Sequence, residues 1–283
     1  MEAAIVADHV VFAYGDLVAV NDVTFEVKRG EVLGFLGPNG AGKTTAVKLL
    51  TGQLKPKSGI ARVLGFDMAK ESKKAAAKIG VCFEEKNLYP RMTGRGNLEF
   101  FAKLFGVKID AEAILERVGL GGKGDERVEN YSKGMRQRLM IARSLVNSPD
   151  VFFLDEPTDG LDPVSSENIR KIIREEKERG ASVLLTTHSM VEADKLSDRV
   201  AFINDGRIVA LDTPENLKLK YGKRSVKVRP KGRREGEELE LPLDDPRTPD
   251  KIKAILEKGD FDTIHTSEAT LEEIFIKVTG RGL

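Results

Sequence analysis

The chain has 283 residues, 40% of them hydrophobic and 32% charged, with 46 basic side chains against 45 acidic ones. A formal charge of +1 removes the bulk attraction on which nonspecific nucleic-acid and acidic-lipid binders depend, so no nucleic-acid partner is expected. The single cysteine, Cys82, excludes an internal disulfide and suits a reducing compartment, and no apolar run approaches the roughly 18 residues a membrane-spanning helix needs.

In chain order, β-rich runs come first. Ala4–Phe12, Val23–Val27 and Val32–Leu36 read as strands, with a turn at Lys28-Arg29-Gly30 before the last of them. A helix is expected from Lys43 to about Leu50, and Gly59–Val63 and Val81–Phe83 are further short strands. From about Glu84 to Asn147 the spacing turns helical: Asn97–Leu104 and Ala111–Val118 repeat apolar residues every three or four positions, and a third helix starts near Ser132. The β/α alternation resumes after Pro149, with strand Val151–Leu154, helix Val164–Lys177, and strands Val183–Thr186 and Val200–Ile203. Beyond Tyr221 a basic run precedes an acidic one; Ser225–Arg229 and Glu238–Leu241 are expected to form a hairpin with opposite charges facing each other. The fold class is therefore α/β: a nucleotide-binding core over residues 1–222, with a β-rich N-terminal subdomain and a helical insert at about 84–147. A small α+β appendage over 223–283 completes it.

Two segments carry chemistry. Gly37-Pro38-Asn39-Gly40-Ala41-Gly42-Lys43-Thr44 matches the phosphate-loop pattern, and it follows a predicted strand and opens a predicted helix. Its glycines allow successive backbone N–H groups to turn inward around an anion. Lys43 supplies a cation for the β- and γ-phosphates, and the Thr44 hydroxyl can ligate Mg²⁺. The second segment is the apolar strand ending in Asp155-Glu156, which delivers two carboxylates to the carboxyl edge of a parallel sheet. Asp155 is the expected Mg²⁺ ligand and Glu156 the general base toward water. ATP and Mg²⁺ are thus the expected ligands.

Many phosphate-loop proteins share those two elements, and the segments between and after them narrow the choice. Gly37–Thr45 as a whole, Tyr131-Ser132-Lys133-Gly134-Met135, Leu154-Asp155-Glu156-Pro157-Thr158, Gly160-Leu161-Asp162-Pro163 and Thr186-Thr187-His188-Ser189 occur in order. In these motifs the first 220 or so residues resemble the ATP-binding-cassette family, and the chain looks like an ATP-hydrolysing motor of the branch that powers ABC-2-type exporters. The stretch Thr270-Leu271-Glu272-Glu273-Ile274-Phe275 resembles the tail of that branch.

The resemblance implies a head-to-tail dimer, with a second copy or a related subunit, in which two ATP molecules are sandwiched. It implies that Gly37, Pro38, Asn39, Gly40, Ala41, Gly42, Lys43, Thr44 and Thr45 bind the nucleotide, and that Tyr14 stacks on the base. Ser132, Lys133, Gly134 and Asp162 would meet the partner's ATP, and His188 would orient the attacking water. Glu84 occupies the place of a usual glutamine near Mg²⁺, with Glu85 as the alternative. Lys133 departs from the glycine usual in the signature, adding a cation beside the trans phosphates or pointing to solvent. A separate integral membrane permease would dock on Glu84–Phe105, with Leu88, Tyr89, Pro90 and Phe101 in contact, and would hold the chain on the inner face of the cell membrane. Consistent with a cytoplasmic location, Met1-Glu2-Ala3-Ala4 lacks the basic flank and apolar stretch of a secretory signal. The competing class is a soluble cassette ATPase acting on a ribosome or nucleic-acid complex. Such proteins usually carry two cassettes or a long coiled coil, neither of which is evident here.

Overall fold

The computed structural model describes residues 3–83, 87–232 and 238–280. One compact unit ends at Leu211 and a second begins at Asp212. The division falls ahead of the 222/223 boundary expected from sequence, because helix α8 (Pro214–Tyr221) packs on α10 (Leu271–Thr279).

In the first unit, β1 (Ala3–Tyr14) and β2 (Leu17–Lys28) form an antiparallel hairpin. With β4 (Ser58–Val63) and β5 (Phe66–Asp67) they make a four-stranded sheet ordered β2-β1-β4-β5. The strand β2 starts six residues before the expected Val23. Asn21-Asp22 has the look of a break in the sequence, but it belongs to a bulge. The register slips by one residue between Ala7↔Phe25 and Val10↔Val23, where His9 takes φ of 48°, and slips back between Val10↔Val23 and Phe12↔Val20, where Asp22 takes φ of 59°. The His9 ring lies 2.7 Å from the Asp22 carboxylate.

The second sheet runs β10-β9-β3-β8-β7-β6, formed by Arg207–Asp212, Arg199–Asn204, Val32–Leu36, Ser182–Thr187, Val151–Asp155 and Ile79–Cys82 in that order. From β9 to β6 every pairing is parallel. Both faces are covered, as parallel sheets require. On β7, Val151 and Phe153 belong to a core shared with β1, β2 and helix α1 (Lys43–Leu50). Phe152 and Leu154 belong to the opposite core, built on helices α3 (Gly94–Phe105), α4 (Ala111–Arg117), α5 (Lys133–Leu145) and α6 (Pro163–Glu178). Cys82, at the end of β6, is enclosed, and desolvation pushes its thiol up to about 12, so it stays protonated.

In the helical insert the buried Asn97 side chain bonds both Tyr89 N and Tyr89 O, at 2.9 and 3.1 Å, clasping that loop to α3. Short elements not anticipated from sequence include α2 (Met68–Ala76) and α7 (Met190–Leu196). The second unit contains the expected pair β11 (Ser225–Pro230) and β12 (Leu239–Pro242), with Lys227 opposite Glu240 and Arg229 bonded to Glu238 at 3.1 Å. The strand β13 (Phe261–Ser267), unanticipated, pairs with the other edge of β11, and α9 (Thr248–Lys258) supplies Ile252 and Ile255 to the small core.

If both faces of β7 are equally dry, Phe152→Ala and Phe153→Ala will each cost about 3–5 kcal/mol in urea unfolding. A cost below about 1 kcal/mol for either would mean that its face is open to solvent.

Candidate active site

Three neighbouring strands of the parallel sheet end at one edge, and each hands over a different functional segment. After β3 the chain turns through Gly37–Gly42 into α1. Two glycines are dictated by space: a Cβ on Gly37 would sit 2.2 Å from Ile203 O, and one on Gly42 would sit 2.3 Å from Ala19 O. Gly42 also has φ of +105°, a conformation open to few residues but glycine. The loop is anchored to its surroundings by Gly206 N donating to Ala41 O at 3.1 Å and Asn21 N to Gly206 O at 2.8 Å. Lys43, buried at the first turn of α1, donates from Nζ to Gly37 O (2.6 Å) and Pro38 O (3.2 Å), so its ammonium is folded over the loop.

After β7 come Asp155 and Glu156, both buried. Asp155 accepts from the Thr44 hydroxyl at 2.8 Å through Oδ2 and from the Thr186 hydroxyl through Oδ1. Glu156 adopts φ of +49°, a left-handed backbone unusual for a non-glycine residue and of the kind that clusters at functional sites. Its Oε1 lies 3.7 Å from Lys43 Nζ and has no hydrogen-bond donor among the described residues, while its Oε2 lies 3.0 Å from Nδ1 of His188, in the turn after β8. Ser189 N, donating to Thr187 Oγ1 at 2.9 Å, fixes that turn.

Together these segments line a pocket of about 380 Å³ that includes Tyr14, Pro38, Asn39, Gly40, Gly42, Lys43, Thr44, Thr45, Asp155 and Glu156. Tyr14, half-exposed at the tip of the β1–β2 hairpin, stands edge-on to Phe12 at 4.9 Å. Of the expected nucleotide-side residues these ten share one pocket, whereas Gly37, Ala41 and His188 are not in its lining. The structure does not place Ser132, Lys133, Gly134 or Asp162 in that pocket. Ser132 caps α5, accepting from Met135 N at 3.1 Å. Asp162 caps α6; hydrogen bonds from the Ser165 side chain and backbone hold its carboxyl below the usual range. Glu84 and Glu85 lie outside the described residues.

Sequence reasoning missed Thr186, Leu17 and Ala19. Thr186 sits in a buried apolar strand beside β7, where a hydroxyl needs a partner; Leu17 and Ala19 follow Tyr14 across the hairpin turn and line the same pocket.

Among the described residues no group of three or more His, Cys, Asp or Glu side chains is poised to hold a metal. The Thr44 hydroxyl and Asp155 carboxylate are hard oxygen donors 2.8 Å apart. That pair suits Mg²⁺, which takes few protein ligands and completes its shell with water and phosphate oxygens.

A second pocket, of about 420 Å³, is lined by Val81, Phe83, Tyr89, Phe101, Phe105 and Arg143, among others. The Arg143 guanidinium lies 4.7 Å from the Phe101 ring centre. Of the residues expected to meet a permease, Tyr89 and Phe101 line this pocket. Leu88 packs on the adjacent core, and Pro90 is absent from the lining. No helix among the described residues is long and apolar enough to cross a membrane.

The chain is similar to several known proteins. A profile described as ABC transporter matches residues 20–159. A fluoroquinolones export ATP-binding protein of Mycobacterium tuberculosis is 46% identical over 267 residues, covering 94% of this chain and 89% of the relative. A Nod factor export ATP-binding protein I of Paraburkholderia xenovorans is 42% identical over 221 residues, 76% of this chain and 73% of that one. A solved ATP-binding subunit of an ABC transporter superposes with a TM-score of 0.72 at 28% identity, over 77% of this chain and 93% of the other.

Replacing Thr186 by valine keeps its shape and removes a donor to a buried carboxylate. Thr186→Val is expected to cost about 1–3 kcal/mol in urea unfolding. An unchanged midpoint would show that Asp155 does not depend on that bond.

Proposed function

The chain belongs to the ABC transporter family and is the ATP-binding, ATP-hydrolysing motor subunit of a membrane transporter; on that premise we propose which residues carry the chemistry. The observation that carries the assignment is the carboxylate of Glu156: buried, on a strained backbone, with one oxygen at His188 and the other without a hydrogen-bond donor among the described residues. That second oxygen is the acceptor for a proton of the attacking water.

ATP binds with its phosphates over the loop Gly37–Thr45, where inward N–H groups and the N-terminus of α1 favour negative charge. Tyr14 offers a face to the base. Lys43 neutralises charge on the β- and γ-phosphates, and His188 orients the water toward phosphorus. The water oxygen bonds to the γ-phosphorus as the bond from that phosphorus to the β–γ bridging oxygen breaks. Glu156 takes the water proton, and ADP and phosphate leave. Thr44 and Asp155 would hold Mg²⁺, with Glu84 the candidate third contact; when bound, the ion supplies charge neutralisation and in-line alignment.

ABC ATPase domains work as dimers with a membrane permease. For this chain the proposed arrangement is head-to-tail, with Ser132, Lys133, Gly134 and Asp162 meeting the nucleotide of a second copy or a paired subunit. The exposed position of Ser132 and Lys133 at the N-terminus of α5, outside the pocket of their own chain, supports that arrangement. Loss of the γ-phosphate removes the charge that joins the halves, so hydrolysis reopens the dimer. Export is the proposed direction, on the strength of relatives named for export. The groove of Phe83, Tyr89, Phe101 and Phe105 is the proposed seat of the permease, which would keep the chain at the inner membrane face. The relatives carry no support for a ribosomal or nucleic-acid role.

Glu156→Gln keeps the carbonyl oxygen and loses the base, so ATP binding should persist while turnover falls by about 10²–10⁴-fold. Steady-state phosphate release, with nucleotide binding measured in parallel, checks this; an unchanged rate removes Glu156 from the role. Lys43→Ala should abolish binding or turnover, and full activity would contradict the phosphate-loop assignment.

A further inference from the structure

Among the contacts that tie the loop leaving Glu156 to the first turns of α5, three differ in character. Gln137 Nε2 donates to Pro157 O at 3.4 Å in the interior. Gly134 lies beside Leu161, whose Cδ2 is 3.4 Å from the point a Cβ on Gly134 would occupy. Lys133 Nζ lies 3.3 Å from Asp159 Oδ2, with side chains 67% and 44% exposed. The third contact alone is an ion pair at the surface, so it alone can answer to an arriving anion.

Its geometry depends on Gly160. The lysine stem crosses that residue so closely that an added Cβ would meet Nζ at 2.7 Å and Cε at 3.0 Å. Gly160 itself takes φ of +67° within a turn in which Asp159 N donates to Glu156 O at 3.2 Å and Leu161 N to Thr158 O at 3.2 Å. Asp159 is therefore held three residues from the proposed base, and Lys133 is the first residue of α5 after its cap, Ser132.

We infer that Lys133 is a γ-phosphate ligand that Asp159 of the same chain holds in reserve. Closing the ATP sandwich then exchanges a carboxylate partner for a phosphate one. This rests on the head-to-tail arrangement proposed above. An exposed lysine–carboxylate pair is weak and easily broken, whereas a terminal phosphate carries more charge and more acceptor oxygens than one carboxylate. Lys133 thus moves to the partner's nucleotide when the halves meet. After cleavage it has Asp159 to return to, beside the base that performed the cleavage. Asp159 acts as a competitor that sets how much ATP is needed for closure.

The test uses the full chain carrying Glu156→Gln, with dimer formation followed by sedimentation velocity across an ATP titration in excess Mg²⁺. Adding Asp159→Asn should lower the ATP concentration at half-dimer by about two- to fivefold, the scale of releasing one exposed ion pair. Lys133→Met should raise it, Lys133→Arg should restore it, and Asp159→Asn added to Lys133→Met should change nothing further. A parent that dimerises but responds to neither substitution, or to both independently of each other, overturns the exchange while leaving the sandwich standing. A parent that stays monomeric at saturating ATP overturns the sandwich, and the exchange with it.

Discussion

The structure depends on the parallel register of β3, β8 and β7. Leu36 pairs with Thr187 and Asp155 with Thr186, so three strands end level with one another. Thr44 and Asp155 stand 111 residues apart in sequence and meet at 2.8 Å, and Asp155 reaches Thr186 across 31 residues. Parallel strands need crossovers of a dozen residues or more, so the chain cannot bring these groups together locally. Burial of both sheet faces keeps the strand ends in place. A slip of one residue would turn Phe152 and Phe153 each toward the other's core and carry Asp155 away from Thr44.

The site adds a backbone constraint to that frame. Glu156 follows a fully buried strand and cannot shift along it, so its left-handed φ aims the side chain back across the sheet edge toward Lys43 and His188. A left-handed conformation costs a non-glycine residue of order 1 kcal/mol. The bond from Glu156 N to Thr186 O, at 3.1 Å, holds it there. Lys43 is bound in turn by the carbonyls of the loop it completes, which fixes its ammonium over that loop.

What could be read in the sequence was what is contiguous in it. The glycine loop, the carboxylates after an apolar run and the helix opened by Lys43 are each short stretches whose residue types declare their use, and α1 lies at Lys43–Leu50 as the spacing predicts. The charges facing each other across β11 and β12 were legible for the same reason. Partners brought together only by topology were not. Thr186 hides in a run of buried residues, and Asp159 looks like one more polar residue in a turn. β13 escaped because its half-buried positions, Phe261, Ile264 and Ser267, recur every third residue on a mostly exposed strand, which blurs the period of two. The strand expected from Val23 begins earlier, at Leu17, because Asn21-Asp22, residues as common in turns, here sit in a bulge within it.

The distribution of burial explains why the site is divided in the way it is. Lys43, Asp155 and Glu156 are all at least nine-tenths buried, the environment in which charges interact strongly and proton acceptors stay dry. Ser132, Lys133 and Asp162 stand at helix N-termini, none of them buried, with backbone N–H groups available to an anion. On the proposed reading, one chain carries a dry half that would hold and cleave a triphosphate and a wet half that would recognise one. A wet anion site contributes little until water is excluded from it, and the surface best shaped to exclude that water is the dry half of another chain with its phosphates in place. In the head-to-tail arrangement proposed above, the γ-phosphate would complete both halves at once, and the affinity between chains would depend on the bond that the chemistry breaks.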